Sequence, residues 1–336
     1  MIAISCNGKG FKDRWIQYCI DKKIPYKVID CTQSDVISQL TDCSALMWHW
    51  HHADPKAILF ARQLTYSLEA VGKKVFPDSS TAWHFDDKVG QKYLLESIGA
   101  PLVDSTVFYN KDDALDWANR CAYPIVFKLR GGAGARNVKL IRSRRECRAI
   151  IRQAFGRGFP AFDRIANFKD VWEKFKGRRV GMIHLLKACG RLFIVPTHMR
   201  NLPRDRGYIY FQEFIPGNDS DIRVVVIDRR AFAIRRFCRD GDFRASGSGR
   251  LQYLGDGDLD HEVLRISFET TKKLNAQCLA YDFVFDANKS ARIVEISYGF
   301  SMEAYDNCLG YWDESGGWHP GDFNPQGFMV ESILSK

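Results

Sequence analysis

The sequence predicts a mixed fold: a small parallel α/β domain over residues 1–80, then an α+β body over residues 81–336. Three observations carry this. Short apolar runs alternate with helical patterns through the first 80 residues, as a parallel sheet with crossover helices requires. The apolar run Tyr123–Lys128 leads through the glycine-rich loop Gly131-Gly132-Ala133-Gly134 into another strand-like run. Far downstream, Tyr281–Asp286 and Val294–Ser297 read as two apolar strands, each presenting a carboxylate, Asp282 and Glu295.

In order along the chain, Ile2–Ser5, Tyr26–Asp30, Ala45–His49 and Lys74–Phe76 read as strands. Lys12–Lys22, Asp35–Leu40 and Pro55–Val71 read as the helices between them. Asp54 is a good N-cap before Pro55, and Gly72 stops that helix. Another helix is expected over Trp83–Gly99, entered from Ser79, Ser80 or Thr81. Strand Leu102–Tyr109, helix Lys111–Arg120, strands Ile125–Leu129 and Asn137–Ile141, and helix Arg144–Phe155 follow. Residues 156–207 read as a basic, aromatic-rich elaboration with one strand-like run, Arg191–Pro196. Strands Tyr208–Ile215, Ile222–Asp228 and Arg230–Phe237 come next, then helix Gly257–Asn275. Strands 279–285 and 291–296 close a hairpin around Asp286-Ala287-Asn288. Residues 306–327, rich in Gly, Trp, Pro and Asp, read as a loop before a short final helix.

Charged residues at 26% and hydrophobic residues at 46% are ordinary for a soluble globular protein. No apolar run reaches the roughly 18 residues of a membrane helix. The N-terminus reads as a strand and not as a leader, so a cytoplasmic location is expected. The ten cysteines are scattered with no Cys-x-x-Cys pair, which argues against a zinc ribbon or redox dithiol and for reduced core thiols. The net charge of +9 is uneven: Leu129–Arg250 holds 28 Lys/Arg and 11 Asp/Glu, the remainder 21 and 29. A basic middle suits nucleotide phosphates, an anionic substrate, nucleic acid or an anionic membrane surface, and charge alone does not choose. Nucleic acid is the weakest of these, because the basic residues form no known reading motif.

The glycine loop is neither a Walker A loop, lacking Gly-Lys-Ser/Thr, nor a dinucleotide fingerprint, because a strand follows it and not a helix. A glycine-rich hairpin can still fold over a triphosphate and donate backbone N–H groups. Lys128 sits just before it on an apolar strand, and Lys88 lies in the preceding helix. Carboxylates inside apolar strands are costly unless paired or metal-bound. Asp282 and Glu295, on consecutive strands, can hold a magnesium ion; the alternative is a salt bridge to the nearby arginines. Gln212-Glu213-Phe214-Ile215 ends a strand and offers backbone groups to an adenine edge. Asp219 or Asp221 can reach a ribose hydroxyl. Of Arg223, Arg235, Arg236 and Arg244, at least one is expected to face a transferring phosphate. Trp48-His49-Trp50-His51-His52 ends the third strand, where ligands bind in open α/β sheets; it reads as a substrate pocket or a packed edge more readily than as a metal site.

This order of parts resembles the ATP-grasp superfamily, most of all its branch of ribosomal-protein glutamate ligases and related amino-acid ligases. The resemblance covers about residues 80–302. It implies a two-lobed fold that clasps ATP, with Lys88, Lys128 and Gly131–Gly134 on phosphates and Gln212–Ile215 on adenine. It implies Mg²⁺ on Asp282, Glu295 and Ser297, and catalytic roles for Arg223, Arg236 and Arg244. The implied chemistry is activation of a carboxylate as an acyl phosphate, then attack by an amine. Ser297 departs from the family pattern, which has asparagine there. The chain also resembles ATP-grasp proteins of bacterial surface-polysaccharide synthesis, which implies an amino acid joined to a sugar acid, with an anionic glycan or lipid-linked carrier as partner. Family precedent implies a homo-oligomer. A non-catalytic ATP-binding protein is the alternative that Ser297 suggests, and a ligase acting on a protein or peptide is another.

Overall fold

The apolar runs at the start of the chain form a four-stranded parallel sheet in the order β2-β1-β3-β4. In this computed structural model β1 is Ile2–Ser5, β2 Tyr26–Ile29, β3 Ala45–Met47 and β4 Lys74–Phe76, with α1 (Lys12–Asp21), α2 (Val36–Gln39) and α3 (Pro55–Ala70) between them. The structure describes residues 1–336 except 9, 51–53, 132–137, 161–163, 178–179, 195–203, 240, 322 and 336, and omits the side chains of 55, 56, 58, 166, 170, 173 and 174. All four residues of β1 are buried, as a central parallel strand covered on both faces should be.

The helix expected over Trp83–Gly99 starts only at Lys88, and a separate short helix precedes it at Ser79–Ala82. A short α4 (Ser79–Ala82) is capped by Asp78, which accepts the Thr81 N–H at 2.9 Å. Asp87 then accepts the Gly90 N–H at 2.9 Å and starts α5 (Lys88–Ser97). Each Asp supplies an acceptor for an N–H that the first turn leaves unbonded, so each opens its own helix.

The chain forms two compact units: residues 1–104, 131–136 and 215–336 make one, and residues 105–130 and 137–214 the other. The second unit carries β5 (Ser105–Phe108), α6 (Lys111–Arg120), β6 (Ile125–Lys128), β7 (Val138–Ile141), α7 (Arg144–Ala154), α8 (Arg164–Lys176), α9 (Met182–Phe193) and β8 (Ile209–Glu213). Its antiparallel sheet runs β5-β8-β6-β7. Ala114, Ala118, Cys147 and Ile151 of α6 and α7 pack with Ile125, Phe127, Ile209 and Phe211 on one face of the sheet. The expected strand at Arg191–Pro196 is corrected: Arg191–Phe193 form the last turn of α9, and Pro196 lies outside the described residues. Leu185 and Ala188 are buried at helical spacing. Arg164 donates to the carbonyls of Leu192 and Phe193, a basic cap on that helix end.

The rest of the first unit is a seven-stranded antiparallel sheet. Its strands are β9 (Ser220–Ile227), β10 (Arg230–Phe237), β11 (Leu251–Tyr253), β12 (Cys278–Phe285), β13 (Ala291–Ser297), β14 (Gly310–Asp313) and β15 (Trp318–Pro320). Their order is β13-β12-β9-β10-β14-β15, with β11 also on β10. Helices α10 (His261–Lys273) and α11 (Pro325–Ser335) complete the unit. The pair β14/β15 corrects the loop expected over 306–327. Asp313 accepts N–H bonds from Ser315 (2.9 Å) and Gly317 (3.1 Å), and Trp312 meets Trp318 with ring centroids 4.6 Å apart. Gly316 and Gly317 belong to the turn of this hairpin.

Alternation along β9, β10 and β12 sends Val224, Val226, Ala233, Tyr281 and Phe283 to one face, into a cluster with Val263 and Leu264 of α10. Val225, Ile227, Phe232, Ile234 and Ala280 point the other way, into a cluster with Ile4, Trp15, Phe76 and Phe300. Phe232 is fully buried against Phe300, Tyr305 and Phe323. Phe232→Ala is expected to destabilise the protein by about 3–5 kcal/mol, seen as a lower denaturant midpoint at unchanged slope. All ten cysteines are free thiols.

Candidate active site

The face of the large sheet that carries Val225 and Ala280 changes character at one end. Period-2 alternation puts Asp221 and Arg223 on the same face as Val225. The register sets Arg236 opposite Asp221, Asp282 opposite Arg223, and Glu295 opposite Asp282. An apolar core at one end of the face thus gives way to a row of charges at the other. A bulge at Asp282/Phe283 shifts the register of β12 against β13 beside the row.

The row is tightly connected. Arg223 donates from Nε to Asp282 Oδ1 (2.5 Å) and from Nη2 to Oδ2 (3.2 Å). Arg236 reaches Asp282 Oδ2 at 2.8 Å and donates to both Asp221 oxygens at 2.6 Å. Burial opposes ionisation of Asp282, but the facing Arg223 and Arg236 outweigh it and hold its pKa down at about 2. Asp221 moves the other way, because its burial outweighs the pull of Arg236. The salt bridge weighed against metal binding at Asp282 is therefore present. Asp221, read as a ribose contact, is the bidentate partner of Arg236.

Lys88 is only 4% exposed, and its Nζ lies 3.2 Å from Glu295 and 3.8 Å from Asp86. Asp86 has φ of 54°, a left-handed conformation that aspartate tolerates better than most residues. A β-carbon at Gly131 would stand 3.3 Å from the Asp86 carboxylate, so glycine permits that approach. One turn beyond Lys88, Gln91 accepts the Ile296 N–H at 3.3 Å and donates to the His84 carbonyl at 3.1 Å, tying α5 to β13. Ser297 shares the Glu295 face, but its hydroxyl donates to the Gly299 carbonyl (3.0 Å) and accepts the Gly299 N–H (3.1 Å).

Arg235 points to the opposite face of β10, where it donates to Gln252 at 3.3 Å. Arg244 pairs with Asp242 at 2.6 Å in the turn after β10. After β8, Asn218 bonds both the N–H (2.9 Å) and the carbonyl (3.0 Å) of Phe285 and so anchors the loop that begins at Ile215. Asn218, Gln91 and Asp86 escape sequence reasoning. The signals that exist are local ones, a Pro-Gly-Asn turn and an Asp-Asp pair before a helix.

In the second unit, Lys128 and Gln212 lie on the sheet face opposite the α6/α7 cluster. Lys128 Nζ donates to Gln212 Oε1 at 2.5 Å, and Gln212 Nε2 donates to Ser105 Oγ at 3.1 Å. The Tyr210 hydroxyl bonds the same Oγ at 2.8 Å. Glu213 is exposed at the end of β8, and Phe214 follows it out of the strand. Gly132, Ala133 and Gly134 lie outside the described residues. Of the Trp48–His52 run, Trp48, His49 and Trp50 are buried, with His49 edge-on to Phe11 at 4.0 Å; His51 and His52 lie outside the described residues. Among the described residues no three His, Cys, Asp or Glu side chains gather as a metal site.

Residues 202–311 match the family model of the RimK-like ATP-grasp domain. Residues 87–171 match that of the carbamoyl-phosphate synthase L chain, ATP binding domain. No curated protein matches the chain. Among solved structures, D-cycloserine synthetase DcsG is similar at 14% identity and a TM-score of 0.60, covering 100% of this chain and 99% of that one. A RimK domain ATP-grasp protein from Sphaerobacter thermophilus DSM 20745 is similar at 13% identity and a TM-score of 0.59, covering 99% of each chain. ATP-grasp ligase PsnB, solved with a minimal precursor, Mg and ADP, is similar at 12% identity and a TM-score of 0.56, covering 99% of this chain and 98% of that one. The fold is the ATP-grasp fold. The resemblance to the ATP-grasp superfamily, read first from the order of short motifs, holds in the family models over parts of the chain and in the fold over nearly all of it.

Proposed function

We propose that this chain is an ATP-dependent ligase that joins a carboxylate to an amine. The observation that carries the reading is the charged end of the large sheet, where Arg223, Arg236, Asp282, Glu295 and Lys88 converge on a fold shared with ATP-using ligases. In the first unit, Lys88 is assigned to a phosphate of ATP, and Arg223 and Arg236 to charge that builds up during phosphoryl transfer. In the second, Lys128 and Gln212 are assigned to the nucleotide. Ordering these cations before substrate arrives spares reorganisation during the reaction.

The donor set fits magnesium that arrives with phosphates, because Mg²⁺ needs only one or two carboxylates from the protein. Glu295 is partly exposed and is the freer donor. Asp282 already receives three charged contacts, leaving about one of a carboxylate's four acceptor sites. Ser297 is committed to Gly299, which supports one principal metal position over two. Bound there, magnesium would neutralise phosphate charge and align the transferred group.

The finer reading is an amino acid joined to a sugar acid. It rests on the basic middle of the chain, which suits an anionic acceptor, and on resemblance. One experiment tests class and substrate together: ADP release from Mg-ATP across a matrix of amino acids and sugar acids, with Glu295→Gln alongside. ADP formation that needs both partners and falls about 100-fold or more in the variant is expected. ATP binding without turnover on any pair, carrier-linked acceptors included, would favour the non-catalytic reading.

A further inference from the structure

Helix α9 has three faces. Leu185 and Ala188 are buried within the α8/α9 hairpin, and His184, Lys187 and Arg191 form a polar edge. The third face is apolar and exposed: Met182, Ile183, Leu186 and Phe193, continued by Ile194, with Ile183 at 65% and Phe193 at 82% exposure. At 100° per residue these five span about a third of the circumference, directly beside Lys187. Folded monomers seldom leave so many large apolar groups on one short helix without a use for them.

We propose that this face of α9 docks on an anionic lipid bilayer. Charge selects that occupant. Residues 156–207 contain 12 Lys/Arg against 4 Asp/Glu, so a second copy of the same hairpin would be repelled. A bilayer surface with acidic headgroups satisfies both faces, taking the apolar stripe into the acyl boundary and the basic edge to the phosphates. Helix α8 shows the same chemistry: Trp172 is partly exposed and Lys176 lies over its ring at 5.6 Å, an amphipathic pair suited to headgroup depth. Among the described residues no helix is long and apolar enough to cross a membrane, so the contact is a surface one. It would place the enzyme beside acceptors presented at a membrane.

The test is co-sedimentation of the full chain with phosphatidylcholine vesicles, with and without phosphatidylglycerol, at rising salt. Binding to the anionic vesicles that weakens with salt, and roughly tenfold less on neutral ones, is expected. Leu186→Ser with Phe193→Ser, and separately Lys187→Glu with Arg191→Glu, should each reduce retention about tenfold or more. All four side chains are exposed, so circular dichroism should show the fold intact. Equal binding to both vesicle types, no binding at any salt, or variants that bind like the parent would overturn the proposal. So would a wild-type dimer in solution that Phe193→Ser dissociates, which would assign the face to a second copy.

Discussion

Asp282→Asn is expected to abolish ADP formation and to weaken the fold. The carboxylate is buried between Arg223 and Arg236, and removing one member of a buried ion-pair set leaves charge uncompensated. That typically costs about 3–5 kcal/mol; the lower end is expected here, because Arg236 keeps Asp221. Arg223 loses the carboxylate it pairs with. The pH dependence isolates the cause. A folded pKa near 2, against about 3.9 in the unfolded chain, means that Asp282 stabilises the fold above about pH 4. That contribution is lost as pH falls towards 2. Asp221 acts in the opposite sense, so the difference between wild type and variant is the quantity to measure. Chemical denaturation at several pH values should give curves that differ most at neutral pH and converge in acid. Parallel curves would show that Asp282 is not held ionised by its arginines.

Lys88→Met should separate chemistry from stability in the other direction. The ammonium is almost fully buried, and its desolvation cost disappears with the charge. Methionine fills much of the same volume, and Glu295 is open enough to water to be hydrated once Lys88 is gone. The thermal midpoint is therefore expected to stay within a few degrees. ADP formation, by contrast, should fall about 100- to 1,000-fold, the usual cost of losing one preorganised charge at a transferring group. A large drop in thermal midpoint with turnover intact would make Lys88 a structural partner of Glu295 and nothing more.

Much of this arrangement was legible because carboxylates inside apolar strands have few inexpensive explanations. Asp282 and Glu295 stand out for that reason, and the register does place them side by side. What sequence could not decide was which cations come to them. Arg223 sits opposite Asp282 only because β9 lies beside β12, a long-range pairing with no local signature. Arg244, close to Arg236 in sequence, instead pairs with Asp242 in a turn. Arg191–Pro196 reads as a strand because short apolar runs carry no clear period; Leu185 and Ala188 supply the helical one. The β14/β15 hairpin was hidden by Gly316 and Gly317, which look like loop but turn a tight corner. Asn218 illustrates another limit, since an asparagine after Pro-Gly looks like a turn whether or not it clamps a distant strand.

The division of one sheet face into an apolar half and a charged half has a consequence for engineering. Cohesion resides in Val225, Ile227, Phe232, Ile234 and Ala280, while Asp221, Arg223, Arg236 and Asp282 form an almost self-contained electroneutral inset. Such an inset can be exchanged as a block. Replacing all four with shape-matched apolar residues should yield an inert scaffold at least as robust as the parent, since buried ion sets seldom outperform hydrophobic packing of equal volume. Piecemeal replacement of the same residues should do the reverse at each step. The natural chain would thus keep its charged inset at the expense of ruggedness.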